Sequence, residues 1–536
     1  MKFLISLLFV ANVVAFSTFD VSCCSQEINL SINDDSLTLN DSFALKNFYQ
    51  NHQNNLQWEP KDLNEFIKAT NDPMKNYLSY DYHQDEIETL LFSLDSYGEY
   101  EKKTILAKID VLATDGFFMF AKDLSVGLID VNKFKSLISQ KEIKPTWATK
   151  KNRYNYANDL SIALKTDMLE ALIEKYLPIS DEYFNLVKAY HHYVSITFPK
   201  VDYGKLMKTG DYGYRATQLK SFLVVTGDLE EQAKSYMEFP TYDDTLAEAL
   251  KRFQKRHYIK ETGELDKVTV LYTRKTAASK ANLIKLNIER QKLFEKIFDK
   301  EYIRINIPEF SLKYYRNGEQ LDDIFIVVGR EDRPTPIFSD SLEYMVLNPS
   351  WIIPQGLLRK DYIPLLVDNP DAMIDEHIHI HTKPSRYSPE VDTSKIDWLQ
   401  YLEEGKYIPY YFMQYPGEDN VLGQMKFIFP NKYNVYLHDT NSKSLTTLKY
   451  RLYSSGCIRL SRPYDLLQIL STYTNYSADA LNSIIESGKS KNISLKRKIP
   501  IHIQYFTVFM NGNSSPSFRK DFYGLDDLQL QSMSQY

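Results

Sequence analysis

The stretch "YLHDTNSKSLTTLKYRLYSSGCIRLSRP", residues 436–463, holds one of the three cysteines of the chain. His438 stands nineteen positions before Cys457, and Ser455 and Gly456 directly precede the cysteine. Four readings of Cys457 compete: a buried small hydrophobe, half of a disulfide, a metal ligand, or a nucleophile. A zinc site needs more thiolates or imidazoles nearby, and no C-x-x-C accompanies this cysteine. A disulfide needs a partner, and only the adjacent Cys23 and Cys24 remain. A buried structural cysteine is the ordinary case, but the flanking residues argue for a nucleophile. Gly456 permits the tight turn that a nucleophile-bearing loop needs. The N–H groups of Gly456 and Cys457 can point at a developing oxyanion. Arg459 adds positive charge near a thiolate and can grip a carboxylate. His438 ends an alternating segment, "NVYLHD", and a Cys–His pair is the minimum for an activated thiol.

At 536 residues the chain exceeds one core, and its length fits roughly three or four domains. A hydrophobic fraction of 43% and a charged fraction of 25% are those of a globular protein. A net charge of −6 without a Lys/Arg block argues against nucleic acid as a partner. "MKFLISLLFVANVVAFSTFD" has one basic residue, then an apolar run at 3–16 too short to span a bilayer. Ala15-Phe16-Ser17 suits a cleavage site, so residues 1–17 read as a secretory signal. Lipidation of Cys23 fits less well, because Asp20 occupies a position that is normally apolar. Export places the cysteines in an oxidising compartment, where they are usually paired. Cys23 and Cys24 then pair with each other or not at all, which leaves Cys457 as an odd and reactive thiol.

Residues 27–41 read as polar and disordered. From about Ser42 to Ser195, apolar residues at three- and four-residue spacing predict helices, as in "DEIETLLFSL" and "DMLEALIEKYL". His191 and His192 read as a half-exposed helix face. In 204–275, Leu246, Ala249, Leu250 and Phe253 line one helix face, and Asp266 with Thr269 opens another helix. Residues 276–300 read as one amphipathic connecting helix, with Leu283, Leu286, Leu293 and Ile297 in a stripe. From 301 the period turns to that of strands: "YIRINIPEFSLKYY", "DDIFIVVGR", "MKFIFP", "NVYLHD" and "IPIHIQYFTVFM". Residues 355–412, rich in Pro, Asp and Tyr, interrupt this pattern in the manner of a mobile lid. Within them, His377, His379 and His381 of "DEHIHIH" would share one face of a strand at metal-ligand spacing. That would make the protein a metallohydrolase and Cys457 incidental. No H-E-x-x-H motif supports it, and an exposed strand gives the same pattern without a metal.

Residues 204–275, with their "GD" start, "ALKRFQ" helix and "TGELDKVT" close, resemble a small three-helix peptidoglycan-binding module. Its alternative is a helical scaffold without a ligand. The segment "HDT … SSGCIRL", with fifteen residues (439–453) between His438 and Ser454, is similar to the active-site signature of L,D-transpeptidases, the YkuD domain. "VVGREDRPTPIFSDSLEYMVLNPSWIIP", "GQMKFIFPNKYNVYLHDT" and "DFYGLDD" resemble the large periplasmic YcbB-like branch, in which Asp rather than Gly follows the histidine. The resemblance implies a multi-domain α+β chain with seven parts: a signal at 1–17, a helical scaffold at 18–203, the binding module at 204–275, a linker helix at 276–300, a mostly-β catalytic domain at 301–512, its lid at about 355–412, and a tail at 513–536.

The resemblance also implies the chemistry. His438 deprotonates Cys457, which takes the acyl group of a tetrapeptide stem as a thioester and passes it to a neighbouring stem, giving a 3→3 cross-link. Gly456, Ser455, Ser454 and Arg459 would line the oxyanion and substrate site. A backbone carbonyl often orients the histidine in this family, and no third residue is assigned here. The same acyl-enzyme can attach a lipoprotein, exchange D-amino acids or hydrolyse, and a wall-binding protein with a degenerate catalytic domain is the non-enzymatic alternative. The expectation is a periplasmic monomer without a metal or other cofactor. Its partners would be peptidoglycan stem peptides and cell-wall synthases, and carbapenems would inhibit it.

Overall fold

The computed structural model describes residues 24–533, apart from 150–152, 179, 233, 295, 297–298 and 512–514. The signal expected at 1–17, Cys23 and Ile297 lie outside the described residues. Among those described, no helix is long and apolar enough to cross a membrane.

The part from residue 301 onward is organised by strands whose alternate residues are apolar. In chain order they are β1 (Glu301–Asn306), β2 (Ser311–Arg316), β3 (Glu319–Gly329), β4 (Phe338–Leu347), β5 (Trp351–Ile352), β6 (His379–His381), β7 (Tyr411–Gln414), β8 (Met425–Ile428), β9 (Leu437–His438), β10 (Leu452–Ser454), β11 (Ile458–Leu460) and β12 (Lys491–Gln504). A nine-stranded sheet runs β10-β3-β11-β9-β8-β4-β12-β1-β2, and β2 also pairs with β3. That extra pairing closes the ring β1–β2–β3–β11–β9–β8–β4–β12–β1. Closure removes exposed edges. Ile303, Ile305, Leu312, Ile326, Leu342, Phe427, Leu437, Ile458, Leu460 and Ile501 fill its core. Two helices, Pro463–Ser471 and Ala478–Glu486, follow β11 and cover this core with Leu466, Leu470 and Leu481.

β5, β7 and β6 form a separate three-stranded sheet within the insertion. The insertion has its own apolar core, running from Trp351 through Ile363, Trp398 and Phe412 to Leu422. That core reaches beyond the 355–412 span expected from sequence, because β5 precedes the irregular composition and Leu422 follows it.

The N-terminal helices pack around the long helix Glu99–Ser125. Residues 27–41 are a correction to the expected disorder. Ser25–Ile32 is a helix, and Ile28 and Ile32, four apart, are buried in the scaffold core. Buried Asp115 then accepts the backbone N–H groups of Asn40 at 2.8 Å and Asp41 at 3.3 Å. Cys24 is buried in the same core.

The 204–275 unit has helices Tyr214–Val225, Asp244–Arg256 and Lys267–Thr273 around its own core. Asp243 and Asp266 cap the last two by accepting from the N–H groups of Leu246 and Thr269.

The connecting helix is a second correction. It spans Ala277–Gln291 rather than the whole of 276–300, and most of its length is buried. Ile284 and Ile288 belong to the scaffold core. Asn287 donates to Thr507 Oγ1 at 3.0 Å. Arg290 is fully buried. Its Nη2 lies 2.8 Å from the Asp526 carboxylate, a charge contact out of hydrogen-bond alignment, while its Nε donates to Gln529 Oε1 at 2.6 Å. The C-terminal segment is therefore part of the fold: Tyr523 and Leu525 enter the barrel core, and Tyr523 Oη donates to the Gly329 carbonyl.

Removing one partner of a buried pair strands the other charge. Asp526→Ala is expected to cost about 3–5 kcal/mol in denaturant unfolding, whereas breaking an exposed pair such as Lys395–Asp392 should leave the unfolding midpoint essentially unchanged.

Candidate active site

The pairing of β9 with β11 creates the site. The strands are parallel, with Leu437 opposite Ile458 and His438 opposite Arg459. Leu437, Ile458 and Leu460 are apolar and fully buried. Successive strand residues face opposite sides, so burying these three turns Tyr436, His438, Cys457 and Arg459 to the outer face. The Ile458 N–H donates to the Tyr436 carbonyl at 3.1 Å, which extends the register by one step and sets Tyr436 beside Cys457.

The His438 ring lies 5.7 Å from that of Tyr436, edge to face. Nδ1–H of His438 donates to the carbonyl of Asp439 at 2.5 Å, which leaves Nε2 as the proton acceptor. A backbone carbonyl thus orients the imidazole. Asp439 is held in turn: its carboxylate accepts from the N–H groups of Gln424 (2.9 Å) and Thr440 (2.7 Å) and from Lys443. Gly423 makes room for it, since a Cβ there would lie 2.3 Å from Asp439 Oδ2, and Gly423 has φ of +59°.

The loop carrying Cys457 is stitched internally. Ser454 Oγ donates to the Cys457 carbonyl (2.5 Å) and accepts from the Gly456 N–H (3.1 Å). Thr335 Oγ1 donates to the Gly456 carbonyl (2.9 Å) and accepts from the Gly329 N–H (2.8 Å). Gly456 has φ of +112°, in the region that favours glycine. This corrects two expected roles. The polar groups of Ser454 and the N–H of Gly456 are engaged within the loop, so they shape the site without facing substrate. The Cys457 N–H carries no such bond among the described residues. Ser455 is exposed, with its Oγ 3.2 Å from Arg333 Nη1.

The thiol of half-buried Cys457 reaches the Asn434 carbonyl at 3.8 Å. Burial pushes the thiol up, while the backbone N–H and phenol of Tyr436, Arg459 and Lys426 favour its anion. Burial pushes His438 down to about 3, and the charges of Arg459 and Lys426 act in the same direction. The resting pair is therefore neutral thiol and neutral imidazole rather than an ion pair.

The insertion reaches this site at Asp361 and Tyr362, and the site reaches back at Tyr436. Asp361 pairs with Arg333, which also contacts Ser455. Tyr362 lies within the field of Arg459, and Tyr436 packs against the insertion core. The alternative reading of His377, His379 and His381 as a metal triad finds no such assembly among the described residues. His377 precedes β6 and has φ of +51°. His379 stacks on Tyr415 at 4.2 Å, and His381 Nε2 meets Tyr415 Oη at 2.6 Å. Among the described residues, no group of three His, Cys, Asp or Glu side chains is placed to hold a metal.

Residues 300–477 match the family model of the L,D-transpeptidase catalytic domain, YkuD, and residues 44–189 match a scaffold-domain model. The chain carries a YkuD L,D-transpeptidase catalytic domain joined to a scaffold domain. A curated relative, a putative L,D-transpeptidase of Haemophilus influenzae, is 30% identical over 224 residues, 42% of this chain and 44% of the relative. The match thus spans less than half of that relative. An L,D-transpeptidase of Stackebrandtia nassauensis is 12% identical, over 57% of this chain and 96% of that one, with a TM-score of 0.21. An LD transpeptidase solved in complex with imipenem is 14% identical, over 38% and 59%, with a TM-score of 0.18. Superpositions this low carry no argument for the fold, which rests on the sheet and the family models.

Tyr436, Asp439, Lys426 and Arg333 were missed from sequence. Tyr436 was readable, since it lies two residues before His438 on a strand. Lys426 and Arg333 need the strand pairing and the lid contact.

A neutral pair at His438 and Cys457 has a measurable consequence. Alkylation of Cys457 by iodoacetamide, read on its peptide in the substrate-free protein, should climb through pH 9.0 and beyond. A rate plateau at neutral pH, the mark of a thiolate–imidazolium pair, would contradict it.

Proposed function

We propose that the protein forms 3→3 cross-links in peptidoglycan through a thioester on Cys457, working in the periplasm as an exported enzyme. The observation that carries this reading is the juxtaposition of His438 and Cys457 on adjoining parallel strands, with the imidazole turned by a backbone carbonyl so that Nε2 is free to accept.

Nε2 of His438 takes the thiol proton as Sγ attacks the carbonyl that joins the third residue of a tetrapeptide stem to its terminal D-alanine. The carbonyl oxygen becomes an oxyanion facing the Cys457 N–H. The C–N bond then breaks, and His438 returns the proton to the departing amine of D-alanine. An amine on the third residue of a second stem attacks the thioester. It gives its proton to His438 as the C–S bond breaks, and the thiol is restored. Arg459 supplies a guanidinium for a stem carboxylate. The thioester must be kept from water while the amine enters, and the insertion tied down by Arg333 and Asp361 serves as that cover. The 204–275 unit places the enzyme on wall polymer. The residues named give Cys457, His438, Arg459 and the Cys457 N–H direct roles, and they make Ser454 and Gly456 structural.

Incubation with purified tetrapeptide fragments and mass analysis of the products tests the reading. Cys457→Ala should abolish D-alanine release with the fold intact. His438→Ala should slow it by roughly a hundred- to ten-thousandfold. Release from Cys457→Ala close to the unmodified rate would contradict the reading.

The nucleophilic role given to Cys457 motivates a second test. A strained β-lactam carbonyl can replace the stem amide, so a carbapenem should leave one adduct on the Cys457 peptide. Asp361→Ala should shorten that adduct's lifetime by loosening the cover. An adduct equally long-lived in Asp361→Ala would contradict the role given to the insertion.

A further inference from the structure

Lys426 on β8 lies directly opposite His438 in the antiparallel β8–β9 register, and His438 lies opposite Arg459. Paired residues of neighbouring strands share a face. Lys426, His438 and Arg459 therefore form a transverse row, with an imidazole between two cations. Lys426 is half-buried, and its Nζ lies 5.6 Å from the centre of the Tyr436 ring. No carboxylate lies within ion-pair distance of Lys426 or Arg459 among the described residues, and Arg459 Nε lacks a hydrogen-bond partner. The nearest acid along β9, Asp439, is engaged by Lys443 and by the N–H groups of Gln424 and Thr440.

Two half-buried cations without an anion are costly at rest, and the cost is lifted when an anion forms beside them. The groups acting on Cys457 are the phenol and N–H of Tyr436, next to β9, Lys426 from β8 and Arg459 from β11, with His438 on the same face of the sheet. Tyr362 of the insertion faces Arg459, and Glu376 lies beyond it. None of those next to the sulfur is an acid other than the Tyr436 phenol.

We propose that Lys426 is a positioning residue for the nucleophile, its ammonium serving with Arg459 as the countercharge of the Cys457 thiolate in place of an imidazolium. His438 then carries the proton only in transit, because a lasting charge on it would stand between two others. Burial pushes Lys426 down and the Cys457 anion pulls it back up, as a pair of this kind requires. The inference rests on the nucleophilic reading of Cys457 above.

The test is the pH dependence of iodoacetamide alkylation of Cys457 in the full-length protein, read on its peptide, beside D-alanine release from tetrapeptide. Lys426→Met should raise the alkylation midpoint by about one pH unit, so that alkylation near neutral pH slows about tenfold. Lys426→Arg should restore the unmodified profile. Lys426→Gln, which keeps a polar tip, serves where the methionine variant does not fold, and should behave as Lys426→Met. An unchanged midpoint in a folded neutral variant overturns the proposal, and so does a Lys426→Arg profile that matches Lys426→Met. Alkylation needs no substrate. A shifted midpoint in a protein that never releases D-alanine would overturn the transpeptidase reading and leave the Lys426 assignment standing.

Discussion

Everything the catalytic face does depends on burying Leu437 and Ile458 side by side. These two side chains face each other across parallel strands inside the closed sheet. A one-residue slip in either strand would turn its polar residues into the core and its apolar residues to solvent. Register is thus fixed by hydrophobic burial, and His438 and Cys457 are brought together as a consequence. The rest of the site adjusts what that pairing presents. Asp439 aims the imidazole, the Ser454–Thr335 stitching holds the loop, and Lys426 and Arg459 set the charge around the sulfur.

A second layer of organisation ties distant parts of the chain to this sheet. Helix Ala277–Gln291 crosses from the scaffold core to the barrel, and its buried Arg290 meets Asp526 and Gln529 near the C-terminus. The C-terminal segment then returns to the active-site wall, where Tyr523 Oη donates to Gly329 and accepts from the Thr335 N–H. Thr335 is the residue that braces Gly456. The N-terminal scaffold is thus connected to the nucleophile loop through packed, hydrogen-bonded side chains.

Much of the site was legible in the sequence, and the reasons for the remainder are physical. Period-two alternation around His438 marked β9, and "SSGC" marked a turn needing glycine, so Cys457 and His438 followed. β4 escaped notice because Ser339-Asp340-Ser341 breaks its alternation, and the strand is held there by regular pairing with Pro500–His502 of β12. Ser25–Ile32 escaped because only two isoleucines carry its buried stripe, and the long helix that receives them lies some seventy residues away. The engagement of Ser454 and Gly456 within their own loop depends on Thr335 and the Cys457 carbonyl, whose positions follow only from the closed sheet. Lys426 needed the β8–β9 register, and the contact of Arg333 with Asp361 needed the folded insertion.

The central claim is that Cys457 receives the acyl group of a stem peptide. The most direct test is a rapid acid quench of the protein with tetrapeptide stem, followed by digestion and mass analysis of the peptide containing Cys457. The account predicts a transient mass increase equal to the stem without its terminal D-alanine, carried on Cys457 and removed by hydroxylamine. Turnover of the stem with Cys457 never modified, or with the adduct on another residue, would contradict it.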